Sequence, residues 1–186
     1  MNIIHSKIFN EVKIFEPKKF RDSRGFFTEV YNNTIKKELK TNFIQDNLSL
    51  SNQGVIRGIH YQFGRGSIKS MGKLCRVITG SGFSLIVDLR SKSNTFGLSE
   101  MVYLSSNNLK SVWVPEGFGH AFISLDDNTY FYYKCSSEYN SDLESSINIY
   151  SPKLQLNLPL LKKDIILSDK DMNAPLFSEY ELNPKM

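Results

Sequence analysis

Two neighbouring stretches carry reactive side chains inside apolar runs: Gly54-Val55-Ile56-Arg57-Gly58-Ile59-His60-Tyr61-Gln62 and Gly72-Lys73-Leu74-Cys75-Arg76-Val77. Both read as buried β-strands, short β-branched and apolar runs bounded by glycine and turn residues. A charge in such a run is costly without a partner. Arg57, His60 and Lys73 therefore need either structural ion pairs or a pocket that takes an anionic ligand. Strand alternation pairs Arg57 with Ile59 on one face and Gly58 with His60 on the other, unless a bulge intervenes. His120 follows the turn Pro115-Glu116-Gly117-Phe118-Gly119, while His5 lies near the terminus and reads as solvated. Tyr132 and Tyr133 are adjacent within a strand-like run, so they point to opposite faces and one of them faces inward. No His-x-His pair occurs, the residue two after His60 being Gln62. A histidine-rich metal site is not expected.

The elements that must position these groups are mostly strands. Val12–Phe15 and Gly25–Tyr31 flank the turn-like Arg21-Asp22-Ser23-Arg24. Thr34–Leu39 has the form of a short helix capped by Asn33 or Thr34. Phe43–Leu50 is extended and ends at the turn Ser51-Asn52-Gln53-Gly54. Ser84–Leu89, Met101–Leu104, Ser111–Val114, Ala121–Leu125 and Thr129–Cys135 follow at roughly ten-residue spacing, separated by Asn, Ser, Gly and Asp turns. Short strands at that spacing predict an all-β fold, with a jelly roll as the form that manages its own edges. Ser168 to Asp171 has the Ser-x-x-acidic form of a capping box, so a short helix is expected near the end.

Composition bounds the rest. The 186 residues suit one domain spanning 1–186, and 40% apolar with 12% aromatic content suits a packed core and not a disordered chain. No apolar run approaches the ~20 residues of a membrane span, and the first fifteen residues hold no signal-peptide core. The net charge of +4 is mild. With no Lys/Arg block and no zinc-finger or RNA-binding pattern, a nucleic-acid partner is not expected. Cys75 and Cys135 fit no metal spacing and read as free thiols of a reducing, cytoplasmic compartment.

Several blocks in order form a larger pattern. They are Arg24-Gly25-Phe26-Phe27-x-Glu29, Gln45-Asp46-Asn47, Val55-Ile56-Arg57-Gly58-Ile59-His60-Tyr61-Gln62, Gly72-Lys73-Leu74 and Val87-Asp88-Leu89-Arg90. Thr95-Phe96-Gly97, Trp113-Val114-Pro115-Glu116-Gly117-Phe118, Tyr133-Lys134 and Leu167-Ser168-x-Lys170-Asp171 continue it. From about Ile14 to Pro175 the chain resembles the dTDP-4-dehydrorhamnose 3,5-epimerase family. The resemblance implies a cupin-type jelly roll with short peripheral helices, working without metal or other cofactor on a nucleoside-diphospho-4-keto-6-deoxyhexose. It implies a homodimer with exchanged N-terminal strands.

By the same resemblance His60 is the base, Asp171 orients it, Lys73 stabilises the enolate and Tyr133 is the acid, with Tyr132 the alternative. Arg57 would contact the diphosphate or sugar, and Arg24 the nucleotide from the partner subunit. Phe26, Glu29, Gln45 and Asn47 would hold base and ribose, and His120 would be a polar support. The run Ser137-Glu138-Tyr139-Asn140 departs from the family's adjacent tyrosines, placing Glu138 where a tyrosine is expected. Thymine stacking is then weakened unless Tyr139 shifts over to supply it, while the Glu138 carboxylate could instead accept hydrogen bonds from a guanine or cytosine edge; the loop Phe63–Ser70, polar and basic, is a further candidate for ligand contact. Rival readings are an epimerase acting at C3 or C5 alone, one acting on a GDP- or CDP-linked sugar, a 3,4-ketoisomerase, a metal-dependent cupin oxygenase, and a non-catalytic sugar-nucleotide-binding cupin.

Overall fold

A computed structural model describes all of residues 1–186. Its strands are β1 (Asn2–His5), β2 (Lys13–Glu16), β3 (Phe20–Asp22), β4 (Gly25–Phe27), β5 (Gln45–Ser51), β6 (Ile56–Gln62), β7 (Lys73–Thr79), β8 (Ser81–Asp88), β9 (Ser99–Ser105), β10 (Ser111–Val114), β11 (Phe118–Ser124), β12 (Thr129–Cys135) and β13 (Glu144–Ser146). Three short helices accompany them: α1 (Asn33–Leu39), α2 (Asp169–Met172) and α3 (Phe177–Leu182). A six-stranded sheet runs β1-β2-β10-β7-β12-β5, and a five-stranded sheet runs β13-β6-β11-β8-β9. β3 and β4 form a separate hairpin. The named pairings within all three sheets are antiparallel. This is the cupin-type jelly roll, an all-β class with short peripheral helices.

Three apolar layers hold it together. Between the sheets, Cys75, Val77, Val112, Val114 and Phe131 from one side meet Ile86, Val102, Leu104, Phe118 and Phe122 from the other. The back of the five-stranded sheet carries Ile56, Ile59, Tyr61, Leu85, Val87 and Ile123, covered by the C-terminal Ile147, Ile149, Leu154, Phe177 and Tyr180. The back of the larger sheet packs Phe15, Leu74 and Trp113 against Ile35 of α1. Covering both faces explains why β11 is buried at every position, since a strand sandwiched twice has no solvent face.

Several local expectations are corrected. The helix N-cap is Asn32, whose side chain accepts from the Thr34 and Ile35 amides. The extended run expected over Gly25–Tyr31 stops at Phe27, because its only pairing is the three-residue hairpin with β3. In β6, residues Ile56, Ile59 and Tyr61 join the rear core, while Arg57 and His60 both line the inter-sheet cavity. Simple alternation had placed those two on opposite faces. The pairing jumps from His120↔His60 to Phe122↔Arg57, so β6 spends one residue more than β11 over that step. Such a bulge reverses the facing of the residues beyond it. The Gly58–Ile59 peptide is cis. Gly58 has φ +120° and a side-chain carbon there would lie 2.4 Å from the His120 carbonyl oxygen, so only glycine fits the bulge.

Asp88 locks the far end of β8. Fully buried, it accepts from Arg90 Nε and Nη2 (2.9 and 2.8 Å) and from the Ser93 and Thr95 hydroxyls (2.6 Å each). Burial opposes its charge, but these donors outweigh burial and hold the carboxyl at about 2. A depressed folded value means the stabilisation is complete above the ordinary value of 3.8 and lost as the pH falls toward about 2. Asp88→Asn is expected to lower unfolding free energy at neutral pH by ~2 kcal/mol. It should also flatten the acid limb of a urea-denaturation pH series; a variant that keeps the wild-type acid slope would show the network is not its source.

Candidate active site

A cavity of about 480 Å³ opens between the sheets. One wall, from the larger sheet, presents Ser49 of β5, Lys73 of β7 and Phe131 and Tyr133 of β12. The opposite wall presents Arg57 and His60 of β6 and His120 and Phe122 of β11. A strap of the C-terminal segment closes one side with Ile166, Leu167, Ser168, Lys170 and Asp171. Backbone bonds moor the strap: Ile56 N–H donates to the Ile166 carbonyl (3.0 Å) and Ile166 N–H to that of Gly54 (2.9 Å).

His60 Nε2 lies 2.6 Å from an oxygen of Asp171. Asp171 is 5% exposed and His60 26%. Burial works against the Asp171 charge, but the His60 ring, the Gly58 amide and Ser168 outweigh it and keep the carboxyl below its ordinary range. An ionised Asp171 fixes the proton on Nε2, leaving Nδ1 as the basic nitrogen. The Ser168 hydroxyl caps α2 by accepting from the Asp171 amide (3.1 Å). The expected capping box is therefore half formed, because the Asp171 carboxylate is turned to His60 instead of back to Ser168.

Tyr133, not Tyr132, faces the cavity. Tyr132 donates to Asp46 on the other side of the sheet (2.7 Å). Burial above all pushes the Tyr133 phenol up to about 12, with Cys135 and Cys75 adding to it and Asn47 opposing. It is a neutral proton donor at any ordinary pH. Lys73 Nζ stands 5.7 Å from the centre of its ring. His120 is buried, its Nε2 3.1 Å from the Ser84 hydroxyl, and burial with the nearby Lys73 and His60 pushes it well below 6.5. Arg57 is held at the mouth, donating from Nε to Ser51 (3.0 Å) and from Nη2 to the Leu50 carbonyl (2.8 Å). No three His, Cys, Asp or Glu side chains converge closely enough to hold a metal ion.

A second, more polar cavity of about 590 Å³ includes Glu138 and Tyr139, with Lys40, Ser67, Lys69 and Glu116 among its other lining residues. The basic loop after β6 thus contributes to this second cavity and not to the first. Gln45 accepts from the Tyr139 amide (2.9 Å) and donates to Asn47 (3.0 Å), joining the two regions. Arg24, Phe26 and Glu29 are exposed and line neither cavity; Arg24 pairs only with Asp22 of its own turn.

The family model for dTDP-4-dehydrorhamnose 3,5-epimerase matches residues 6–179. The chain belongs to this family. It is 42% identical over 180 residues to the dTDP-4-dehydrorhamnose 3,5-epimerase of Shigella flexneri, covering 95% of this chain and 96% of that one. The solved dTDP-6-deoxy-D-glucose-3,5-epimerase of Legionella pneumophila, in complex with dTDP-4-keto-L-rhamnose, matches with a TM-score of 0.89 at 39% identity, over 100% and 98% of the two chains. A 3'-monoepimerase from Streptomyces bikiniensis in complex with dTDP-quinovose matches at 0.86 and 31% identity, over 96% and 90%.

Sequence reasoning from the family pattern brought His60, Asp171, Lys73, Tyr133, Arg57 and His120 to one cavity. It missed Ser49, Ser168 and Lys170 as lining residues. One signal for Ser49 was available: β5 alternates Gln45, Asn47, Ser49 and Ser51 against Asp46, Leu48 and Leu50, and Leu48 and Leu50 are the exposed ones. A strand that turns its polar side inward advertises a polar cavity.

His120 provides a check on the site's electrostatics. Its ring is expected to stay neutral through the range near 6.5 where unfolded chains protonate, with ¹⁵N shifts that do not follow that titration. A His120 that titrates near 6.5 in the folded protein would mean the wall is wet and the geometry wrong.

Proposed function

We propose that this protein, as one domain over 1–186, inverts C3 and C5 of dTDP-4-keto-6-deoxyglucose, giving dTDP-4-keto-rhamnose, without a cofactor. The observation that carries the chemistry is the opposition of a His–Asp pair on one wall to a half-buried neutral phenol on the other, with a lysine beside the phenol. The 4-ketone makes the hydrogens on C3 and C5 acidic. His60 Nδ1 removes one of them, and Asp171 stabilises the imidazolium that forms. Electrons move onto the C4 oxygen, where the Lys73 ammonium stabilises the enolate. Tyr133 returns a proton to the opposite face, which inverts the centre. A phenol held up at about 12 is a poor acid toward water but adequate toward a basic enolate carbon. Repetition at the second carbon completes the reaction.

Arg57, held by Ser51 and the Leu50 carbonyl, is suited to the diphosphate through its remaining donors. Glu138 and Tyr139 place the nucleoside end at the second cavity, and the Tyr139 ring is the stacking surface; Gln45 and Asn47 lie along the way. Arg24, Phe26 and Glu29 are assigned to a partner's site. The β3–β4 hairpin supports this, with Phe20, Phe26 and Phe27 between 50% and 67% exposed. So does the outer face of the larger sheet, where exposed Leu48, Leu50 and Ile78 accompany Arg76, whose buried Nε has no partner. A second copy covering that face would satisfy both. No helix is long and apolar enough to cross a membrane, and a cytoplasmic location is part of the proposal.

Conversion of dTDP-4-keto-6-deoxyglucose into its C3,C5-inverted isomer of equal mass, followed by NMR, tests the activity. Lys73→Met is expected to lower kcat by ~10²–10³ while the protein still binds dTDP. Absence of conversion with the dTDP sugar alongside turnover of a GDP- or CDP-linked one would overturn the nucleotide assignment. For the shared site, mixing inactive Arg24→Ala with inactive His60→Ala chains should restore part of the activity; a mixture as dead as its components would contradict an Arg24 acting in the partner.

A further inference from the structure

Lys73 lines the first cavity without a carboxylate of its own: none of the chain's ion pairs includes it. An ammonium left unpaired keeps its donors and its full field for an oxyanion. Its place must then come from the backbone that carries it. Lys73 is the first residue of β7, set opposite Val114 of β10 and Cys135 of β12. The loop that leads into it is exposed over residues 64–67. A strand that begins straight after such a loop needs something to fix its first residue.

Ser136, the residue after β12, does this at Gly72. Its N–H donates to the Gly72 carbonyl (3.0 Å), and its hydroxyl accepts from the Gly72 N–H (2.8 Å). The same hydroxyl donates to Glu116 Oε1 at 2.6 Å. A hydroxyl that donates to a carboxylate is polarised and accepts more strongly, so the two bonds reinforce each other. Glu116 lies in the turn between β10 and β11, forms no ion pair, and has no task in the reaction above. Trp113 and the Glu116 carboxyl close over Gly72, where a side-chain carbon would lie 2.4 Å from the indole.

We propose that Ser136, backed by Glu116, is a positioning residue for Lys73: the Glu116–Ser136–Gly72 bonds fix the first residue of β7 so that its ammonium meets the C4 oxygen. The inference rests on the reading of Lys73 as the cation for the enolate. A carboxylate placed on the ammonium itself would also hold it, but would cancel the field that the enolate needs. Anchoring one residue earlier, on the backbone, fixes the lysine and leaves its charge free. The carboxylate is used on the hydroxyl instead. Misplacement of such a group by about 1 Å can cost up to ~10² in rate.

A double-mutant cycle with Lys73→Met separates this role from a plain structural or ligand contact. Ser136→Ala removes the hydroxyl, and Ser136→Thr keeps it. The readouts are kcat, the Kd for dTDP, and the ¹³C relaxation of the Lys73 Cε methylene in ligand-free protein. Ser136→Ala is expected to lower kcat about tenfold, to change Kd less than about threefold, and to make the Lys73 methylene more mobile. Ser136→Thr should restore kcat to within about threefold of wild type. In the Lys73→Met background, Ser136→Ala should change the residual kcat less than about twofold, because the group it positions is gone. The same fold-loss in both backgrounds, an unchanged kcat, or a Kd that rises in step with the loss of kcat would each overturn the proposal. Should Ser136→Ala fail to fold by circular dichroism, Glu116→Gln weakens the same chain of bonds from its exposed end and is held to the same cycle. The relaxation measurement does not depend on what the enzyme turns over. A loosened Lys73 in a protein inactive on the dTDP sugar would strike the epimerase reading and leave the anchor standing; an active enzyme whose Lys73 is no looser in Ser136→Ala would strike the anchor alone.

Discussion

The hydrogen bond between His60 and Asp171 joins residues 111 positions apart, and most of the local irregularity in the structure serves it. On a flat strand with Arg57 facing the cavity, the His60 imidazole would point into the rear core. The bulge in β6, possible only because Gly58 accepts φ +120° against the His120 carbonyl, swings His60 to the cavity side. The strap that delivers Asp171 can dock only because Gly54 leaves room: a side-chain carbon there would lie 2.2 Å from the Asp164 carbonyl oxygen. Two glycines, one cap and one buried carboxylate thus set the geometry of the proposed base.

Around that bond the jelly roll separates two kinds of environment. The outer covers and the inter-sheet core are apolar and closed, giving walls that do not move. The open end of the sandwich is lined by groups whose charge states burial and hydrogen bonds together have sorted. Asp171 is anionic, His120 neutral and Tyr133 protonated. Lys73 lies beside the phenol, where the enolate of the proposed reaction would need a cation. In a partly dehydrated cavity such fixed charges act more strongly than they would in water. The same surroundings that raise the Tyr133 phenol would, in the proposed reaction, keep it from ionising before a carbanion is there to take its proton.

Much of this was legible in the chain. Short alternating runs at regular spacing gave the strands, and the ordered motif blocks gave the family and six of the cavity residues. The misreadings have physical causes. Alternation failed at Gly58 because a bulge is a tertiary event, decided by the closeness of β11. The extended run after Gly25 stopped early because, in this chain, its only pairing is with β3. Ser168 and Asp171 looked like a capping box, but the half-buried His60 imidazole takes the Asp171 carboxylate instead of the Ser168 amide. The inward-facing polar stripe of β5 was readable and went unread.

The central claim is that the base and the acid stand on opposite walls. The measurement that addresses it directly is solvent deuterium entering C3 and C5 of dTDP-4-keto-6-deoxyglucose in D₂O, compared across wild type, His60→Ala and Tyr133→Phe. The account predicts exchange at both carbons in the wild type and none in His60→Ala. In Tyr133→Phe exchange should persist, because the base still removes protons, while inversion is lost or stops after one centre. Exchange that survives removal of His60, or that vanishes equally with either residue, would contradict a division of labour between the two walls.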